Sequence, residues 1–393
     1  MKVILKLLYE PLIWFIFLFS LLNVNAQVEK IPKTRKVLTL DLDAETAYPN
    51  HFGSNFSYAD DRNALVYFNQ ITKTLKYFDV NTGKILGQTS LETFGPNNVG
   101  QEPYYVHYHN KDSIFVFARF GKLALSLVNG EGLKIDEYDF GSKFDFAQVP
   151  YPRMSNTFGG IVVVKNEVYM GLQVAHNSFN NSKPPVIKID MKTREYDYLK
   201  EPIPYKDLNF KRLPKSGQIE FYESRVSFNK STSSLIITYP VPGNIFRIKE
   251  DRVEKIELQS QDILGEFELL DSDNGTYTTR DLEYTKLVMV NPRILGSIYD
   301  PYRNVHYFIR KVKGDVKSYV KMKNGAGKFF YKYLYEAYDS EFKLLDSLIV
   351  SAEYLIPNKG VFLDSRGLWV LMPQQEDEDV MQLALLDFNL TKE

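Results

Sequence analysis

The side chains able to do chemistry are few. The chain holds five histidines and no cysteine, so thiol catalysis and cysteine-ligated metals are excluded at once. His107 and His109 stand two apart in a run that reads as a strand, which turns both imidazoles to one face and would let them share a metal. No third ligand lies near them in sequence, and two strand histidines beside the Asn110-Lys111-Asp112 turn is the plainer reading. Asp271-Ser272-Asp273-Asn274-Gly275 is spaced like the start of a calcium loop, but Thr276 and Leu282 stand where that loop needs glycine and a bidentate glutamate. Glu376-Asp377-Glu378-Asp379 is denser in charge and reads first as a solvated loop. No G-x-S-x-G elbow, phosphate-binding P-loop or H-E-x-x-H helix occurs. No metal site and no cofactor is therefore expected.

Charge narrows the partners. Forty-eight basic residues against 49 acidic ones leave a net charge of -1, which argues against a nucleic-acid partner. Tyr 27 and Phe 27 are high counts that suit strand packing first and recognition surfaces second. At the N-terminus, Lys2 and Lys6 precede an apolar run from Leu12 to Leu22, and Val24-Asn25-Ala26 follows with small residues. That is the layout of a secretory signal peptide, and the run is too short to span a membrane. The expectation is a signal peptide over 1–26, no membrane span after its cleavage, and a single domain over 36–393. Its address would be periplasmic or extracellular.

The elements that must position any site read as repeated hairpins. Alternating or β-branched runs such as 64–68, 75–80 and 84–91 are broken by Asn, Asp, Gly and Lys turns. The turns before each fourth strand fall at Thr82, Gly130, Lys192, Glu250 and Ser340, mostly roughly 50 to 60 residues apart, as in an array of four-stranded blades. Helical periodicity is confined to a short stretch near Thr279–Met289. The last unit has three strands, 361–364, 368–372 and 382–388, and lacks a fourth, while 37–42 is a lone strand near the start. The two ends complement each other if the first strand completes the last blade. The predicted fold is an all-β propeller of six four-stranded blades closed in this way, or of seven if 259–291 hides further strands.

Phe94-Gly95-Pro96-Asn97-Asn98-Val99-Gly100, with Asp112-Ser113-Ile114-Phe115 after it, resembles a motif of a family of secreted bacterial proteins known only as a domain of unknown function. Tyr299-Asp300-Pro301-Tyr302-Arg303-Asn304 and Gly367-Leu368-Trp369-Val370 are similar to its later motifs. The resemblance covers nearly the whole chain after the N-terminal segment and implies a six-bladed, TolB-like propeller that is exported. It brings no catalytic residues. Asn98 departs from the glycine expected there, though asparagine tolerates the left-handed conformation.

In such a fold the connections between first and second strands, and between third and fourth, leave on one face, and here they are short. The remaining connections leave on the other face and include 92–105, 141–159, 173–184, 200–222, 259–292 and 311–329. Recognition residues concentrate on extended loops held by a rigid scaffold. The candidate ligand contacts on that face are Tyr104, Arg119, Arg153, His176, Asn177, Arg212, Tyr239 and Arg310. The expected function is a non-enzymatic module that binds a protein, peptide or glycan across the long-loop face. The alternative is a metal-assisted hydrolase or lyase working in the central channel. Its first-strand candidates, Asn156, His107 and Glu223, are too scattered to assemble a site.

Overall fold

A computed structural model describes residues 36–46, 56–118, 124–139, 151–152, 160–173, 186–199, 224–240, 244–250, 252–259, 263, 290–357, 359–373 and 377–390. The N-terminal segment read as a signal peptide and the predicted helix near Thr279–Met289 lie outside them.

Six antiparallel blades form a ring. After β1 (Val37–Asp41), blade 1 comprises β2 (Phe56–Ala59), β3 (Ala64–Asn69), β4 (Thr74–Asp79) and β5 (Ile85–Ser90). Blade 2 comprises β6 (Pro103–Asn110), β7 (Ser113–Ala118), β8 (Ala124–Val128) and β9 (Lys134–Asp139). Blade 3 holds β11 (Ile161–Val164), β12 (Glu167–Gln173), β13 (Val186–Asp190) and β14 (Tyr196–Tyr198), with the two-residue β10 (Tyr151–Pro152) added against β12. Blade 4 is β15 (Arg225–Asn229), β16 (Ser234–Thr238), β17 (Ile245–Lys249) and β18 (Arg252–Ile256). Blade 5 is β19 (Arg293–Asp300), β20 (Val305–Lys311), β21 (Lys332–Tyr338) and β22 (Leu344–Ser351), with helix α1 (Val316–Lys323) inserted between β20 and β21. Blade 6 is β23 (Val361–Asp364), β24 (Gly367–Leu371), β25 (Val380–Leu385) and, from the other end of the chain, β1.

The ring closes as the sequence predicts. Val37 faces Ala384 and Asp41 faces Val380 in an antiparallel register. The alternation of β1 turns Leu38 and Leu40 inward, where both are buried with Phe362, Trp369, Leu371, Met381 and Leu383. Complete burial of each leucine is worth roughly 1.5–3 kcal/mol, so this strand is held by side-chain packing as well as by its ladder.

Middle strands lie between two neighbouring blades and are apolar on both faces, as in Ala64-Leu65-Val66-Tyr67-Phe68 of β3, all buried. Five of the seams between blades thus carry an apolar cluster among the described residues. Leu295, Tyr307, Tyr335 and Val350 of blade 5 pack with Val361, Leu368 and Val370 of blade 6. Ile236 and Ile245 of blade 4 pack with Ile294, Phe308 and Tyr338 of blade 5.

The short-turn face is stitched from blade to blade. Tyr108 and the Lys111 amide donate to Asp61, joining blades 1 and 2 at 2.9 and 2.8 Å. Arg194 meets Asp136 at 3.0 Å between blades 3 and 2. Ser231 donates to Asn304 at 2.7 Å between blades 4 and 5, and Arg303 to the Ser365 carbonyl at 2.7 Å between blades 5 and 6. Arg366 donates to the Val80 carbonyl at 2.9 Å between blades 6 and 1. The Asp300-Pro301-Tyr302-Arg303 turn is structural, since Asp300 accepts the Tyr302 and Arg303 amides at 2.9 and 3.1 Å.

Two sequence expectations need correcting. Asn98 is not left-handed; Gly95 and Gly100, with φ of 85° and 110°, take the special conformations, and Asn98 instead accepts the Gly100 amide at 2.6 Å. The 311–329 connection, read as a loop, contains α1.

Candidate functional site

The opposite face gathers the longer connections, although Gln70–Lys73 of blade 1 is a short turn there too. Of the eight candidate contacts, Arg119, Arg153, His176, Asn177 and Arg212 lie outside the described residues. Tyr104 is in β6, partly buried against the apolar cluster between blades 2 and 3. Tyr239 follows β16 and is buried edge-on against Phe246, with ring centres 5.6 Å apart. That burial pushes its phenol pKa well above the ordinary value. Arg310, near the end of β20, is buried and meets Glu336 at 2.5 Å, while Tyr338 donates to the same carboxylate at 2.8 Å. Burial raises the Glu336 pKa, and the Arg310 charge and hydrogen bonds oppose that rise. Tyr239 and Arg310 thus lie beneath the face rather than on its surface.

Alternation puts Arg310 on the same face of β20 as His306, which takes part in buried polar contacts between blades 4 and 5. Ser227 and Ser297 share a hydrogen bond of 2.6 Å, and the Asn229 side-chain amide stands 2.7 Å from His306 Nε2. Burial and then the Arg247 charge lower the His306 pKa to about 3, so the ring is neutral at ordinary pH. Sequence reasoning did not single out these contacts. Their signal is the run of polar residues at alternate positions, Arg225, Ser227 and Asn229, in a strand otherwise apolar.

His107 and His109 do share a face, with ring centres 6.4 Å apart, and His107 also packs on Phe115. Burial, followed by the neighbouring His109, lowers the His107 pKa to about 4. Among the described residues, no three His, Asp or Glu side chains are placed to hold one metal ion. The described part of the acidic run is a local turn, in which Asp377 accepts the Asp379 amide at 2.9 Å.

A cavity lies elsewhere, in the seam between blades 3 and 4. It is a cleft of about 820 Å³ opening beside the short turns. Its blade 4 wall is apolar, made by Phe228, Leu235 and Ile248. Its blade 3 wall presents Tyr169, Lys188, Asp190 and Asp197. Lys188 pairs with Glu167, which also accepts from the Tyr169 hydroxyl at 2.7 Å. At the long-loop end the same seam is tight. A Cβ on Gly171 would stand 2.1 Å from the Ser224 carbonyl oxygen, so glycine allows blades 3 and 4 to touch backbone to backbone there. The seam is a wedge, closed at one end and open at the other.

Comparison with known proteins agrees with this architecture. A crystal structure from Bacteroides vulgatus, of a member of the DUF4221 family, superposes with a TM-score of 0.68 at 16% identity, covering 91% of this chain and 98% of the other. A Bacteroides fragilis protein described as exported gives a TM-score of 0.51 at 8% identity, covering 91% and 97%. A streptogramin B lyase gives 0.44 at 8% identity, covering 90% and 98%, too distant to carry an argument about chemistry. A sequence comparison with curated proteins found no match. The family model described as Domain of unknown function (DUF4221) matches residues 31–346, and the chain belongs to that family.

Proposed function

We propose that this chain is an exported binding module that holds a protein, peptide or glycan ligand on its long-loop face. The observation that carries the reading is the contrast between the two faces. One is stitched by short turns and hydrogen bonds, and the other bears long connections on a rigid ring. Tyr104, Arg119, Arg153, His176, Asn177 and Arg212 supply the contacts in this reading, with Tyr239 and Arg310 buried beneath as supports. Export is supported by the N-terminal layout and by the exported relative in fold.

The test replaces 173–184 and 311–329 with short turns in one variant. Ligand captured from the native host should be lost while the melting temperature stays within a few degrees. Undiminished capture by the folded variant would overturn the face assignment.

A second reading is favoured by the cleft between blades 3 and 4, whose volume suits a small ligand. Leu235→Trp should fill the cleft and abolish binding of such a ligand without affecting capture by the long-loop face.

A further inference from the structure

The connection between β20 and β21 has an unusual charge. From Lys311 to Lys332 the chain reads KVKGDVKSYVKMKNGAGKFFYK, with seven lysines, no arginine and one acid. The chain as a whole has a net charge of -1, so everything outside this segment is net acidic. The one acid, Asp315, is occupied with the helix start, accepting the Lys317 and Ser318 amides at 3.2 and 2.9 Å. Lys321, Lys323 and Lys328 are exposed and have no acidic partner among the described residues.

The insertion is firmly mounted. Tyr319 on α1 is buried and packs edge-on against Phe329, with ring centres 5.6 Å apart. The Gly314 amide donates to the Val290 carbonyl at 2.7 Å, and a Cβ on Gly314 would meet the Phe329 ring at 2.8 Å. Beyond this mount, Phe330 is 41% exposed between Lys328 and Lys332. A protruding helix and turn with separate ammonium groups does not enclose a ligand. Lysine without arginine gives point charges on flexible stems rather than bidentate recognition. Point charges around a projecting aromatic match a broad, laterally mobile anionic surface.

We propose that this insertion attaches the protein to an anionic lipid bilayer surface, with Lys321, Lys323 and Lys328 facing the headgroups and Phe330 entering the interface. The opposed charge of the remaining chain then orients the molecule with its long-loop face toward the lipid. The proposal does not rest on the ligand reading, since the insertion can hold the protein at a membrane whether or not that face also captures a ligand.

The experiment is co-sedimentation of the purified chain with vesicles of phosphatidylcholine alone or with one third phosphatidylglycerol, at low and high salt. Binding is expected only with phosphatidylglycerol and should fall steeply as salt rises. Each of Lys321→Gln, Lys323→Gln and Lys328→Gln should weaken partitioning about fivefold, and the triple variant should stay in the supernatant. Phe330→Ala should weaken binding while leaving its salt dependence unchanged. Thermal melting of each variant checks the fold, and the wild-type salt series stands even if a variant unfolds. Equal binding to both vesicles, or a triple variant that still sediments, would overturn the proposal. So would retention on a soluble acidic polysaccharide with no vesicle binding. Loss of vesicles with capture retained would separate this proposal from the ligand reading.

Discussion

The seam between blades 6 and 1 and the seam between blades 3 and 4 start from the same alternation of strands and end differently. At the first, the chain crosses from β1 in blade 6 to β2 in blade 1, and blade 6 itself is closed only by the non-covalent pairing of β1 with β25. It is filled accordingly. Trp369 is fully buried and stacks on Phe362 at 5.8 Å, Arg366 lies 4.8 Å over the Trp369 ring, and Gly83 lets a blade 1 turn press against the backbone at Thr39. At the second, the backbone runs on through the seam, and polar side chains face apolar ones across a cleft. A blade closed by a ladder and side-chain packing, with no covalent link between its last two strands, must bury surface to exist. A seam between two blades that are each built from consecutive strands is free to leave room for something else.

The strongest way to break this contrast is to remove the closing strand. Deleting residues through Asp43 should lower stability by several kcal/mol, read by urea unfolding, and should expose the β25 edge, read as aggregation in size-exclusion chromatography. Retained stability and a monomer would show that blade 6 does not depend on β1. A paired substitution sharpens it. Trp369→Ala should cost about 3–5 kcal/mol, whereas Tyr169→Ala in the open seam should cost within about 1 kcal/mol. Equal losses would mean that the cleft is packed after all.

Acid tests the other side of blade 4. His306 has a folded pKa of about 3 against an ordinary 6.5, so the unfolded chain binds the extra proton between those values. Stability should therefore be full above pH 6.5 and fall as pH drops toward 3, by roughly 2–3 kcal/mol at pH 4.5 from this group. His306→Gln should flatten that part of the dependence, measured as urea midpoints at pH 7 and 4.5. An unchanged slope would mean that the ring is protonated in the fold. The smallest effect concerns the closed end of the wedge. Gly171→Ala should cost about 1–3 kcal/mol, because the new methyl meets the Ser224 carbonyl. A neutral result in thermal melting would show that this end is already loose.

The blade count and the ring closure were legible because they rest on turns and alternation, which are local. Thr82, Gly130, Lys192, Glu250 and Ser340 all fall in the turns that precede the outer strand of their blades, and Leu38 and Leu40 alternate in β1 as an outer strand requires. The short elements were not. Phe56-Ser57-Tyr58-Ala59 is too brief to show a period, and α1 hides among lysines, although Asp315 ahead of Val316, Tyr319 and Val320 is a helix start in retrospect. Burial at the candidate site was illegible for a different reason. Arg310 reads as an exposed cation until Glu336, on the next strand, is seen to meet it. The cleft depends on which faces of two blades meet, and no single stretch of sequence carries that.

The pairing of β1 with β25 also sets an order of events for folding. Val37 finds Ala384 only after every intervening blade has been made, so the closing contacts are among the most distant the chain can form. If the chain is exported from its N-terminus, β1 emerges first and waits, an unpaired strand beside a growing stack of blades. The cost of bringing the ends together rises only slowly with chain length, and the completed blades shorten the gap further. Folding should thus end in one late, cooperative step in which the ring shuts, and substitutions in β1 should speed unfolding far more than they slow the formation of blades 1 to 5.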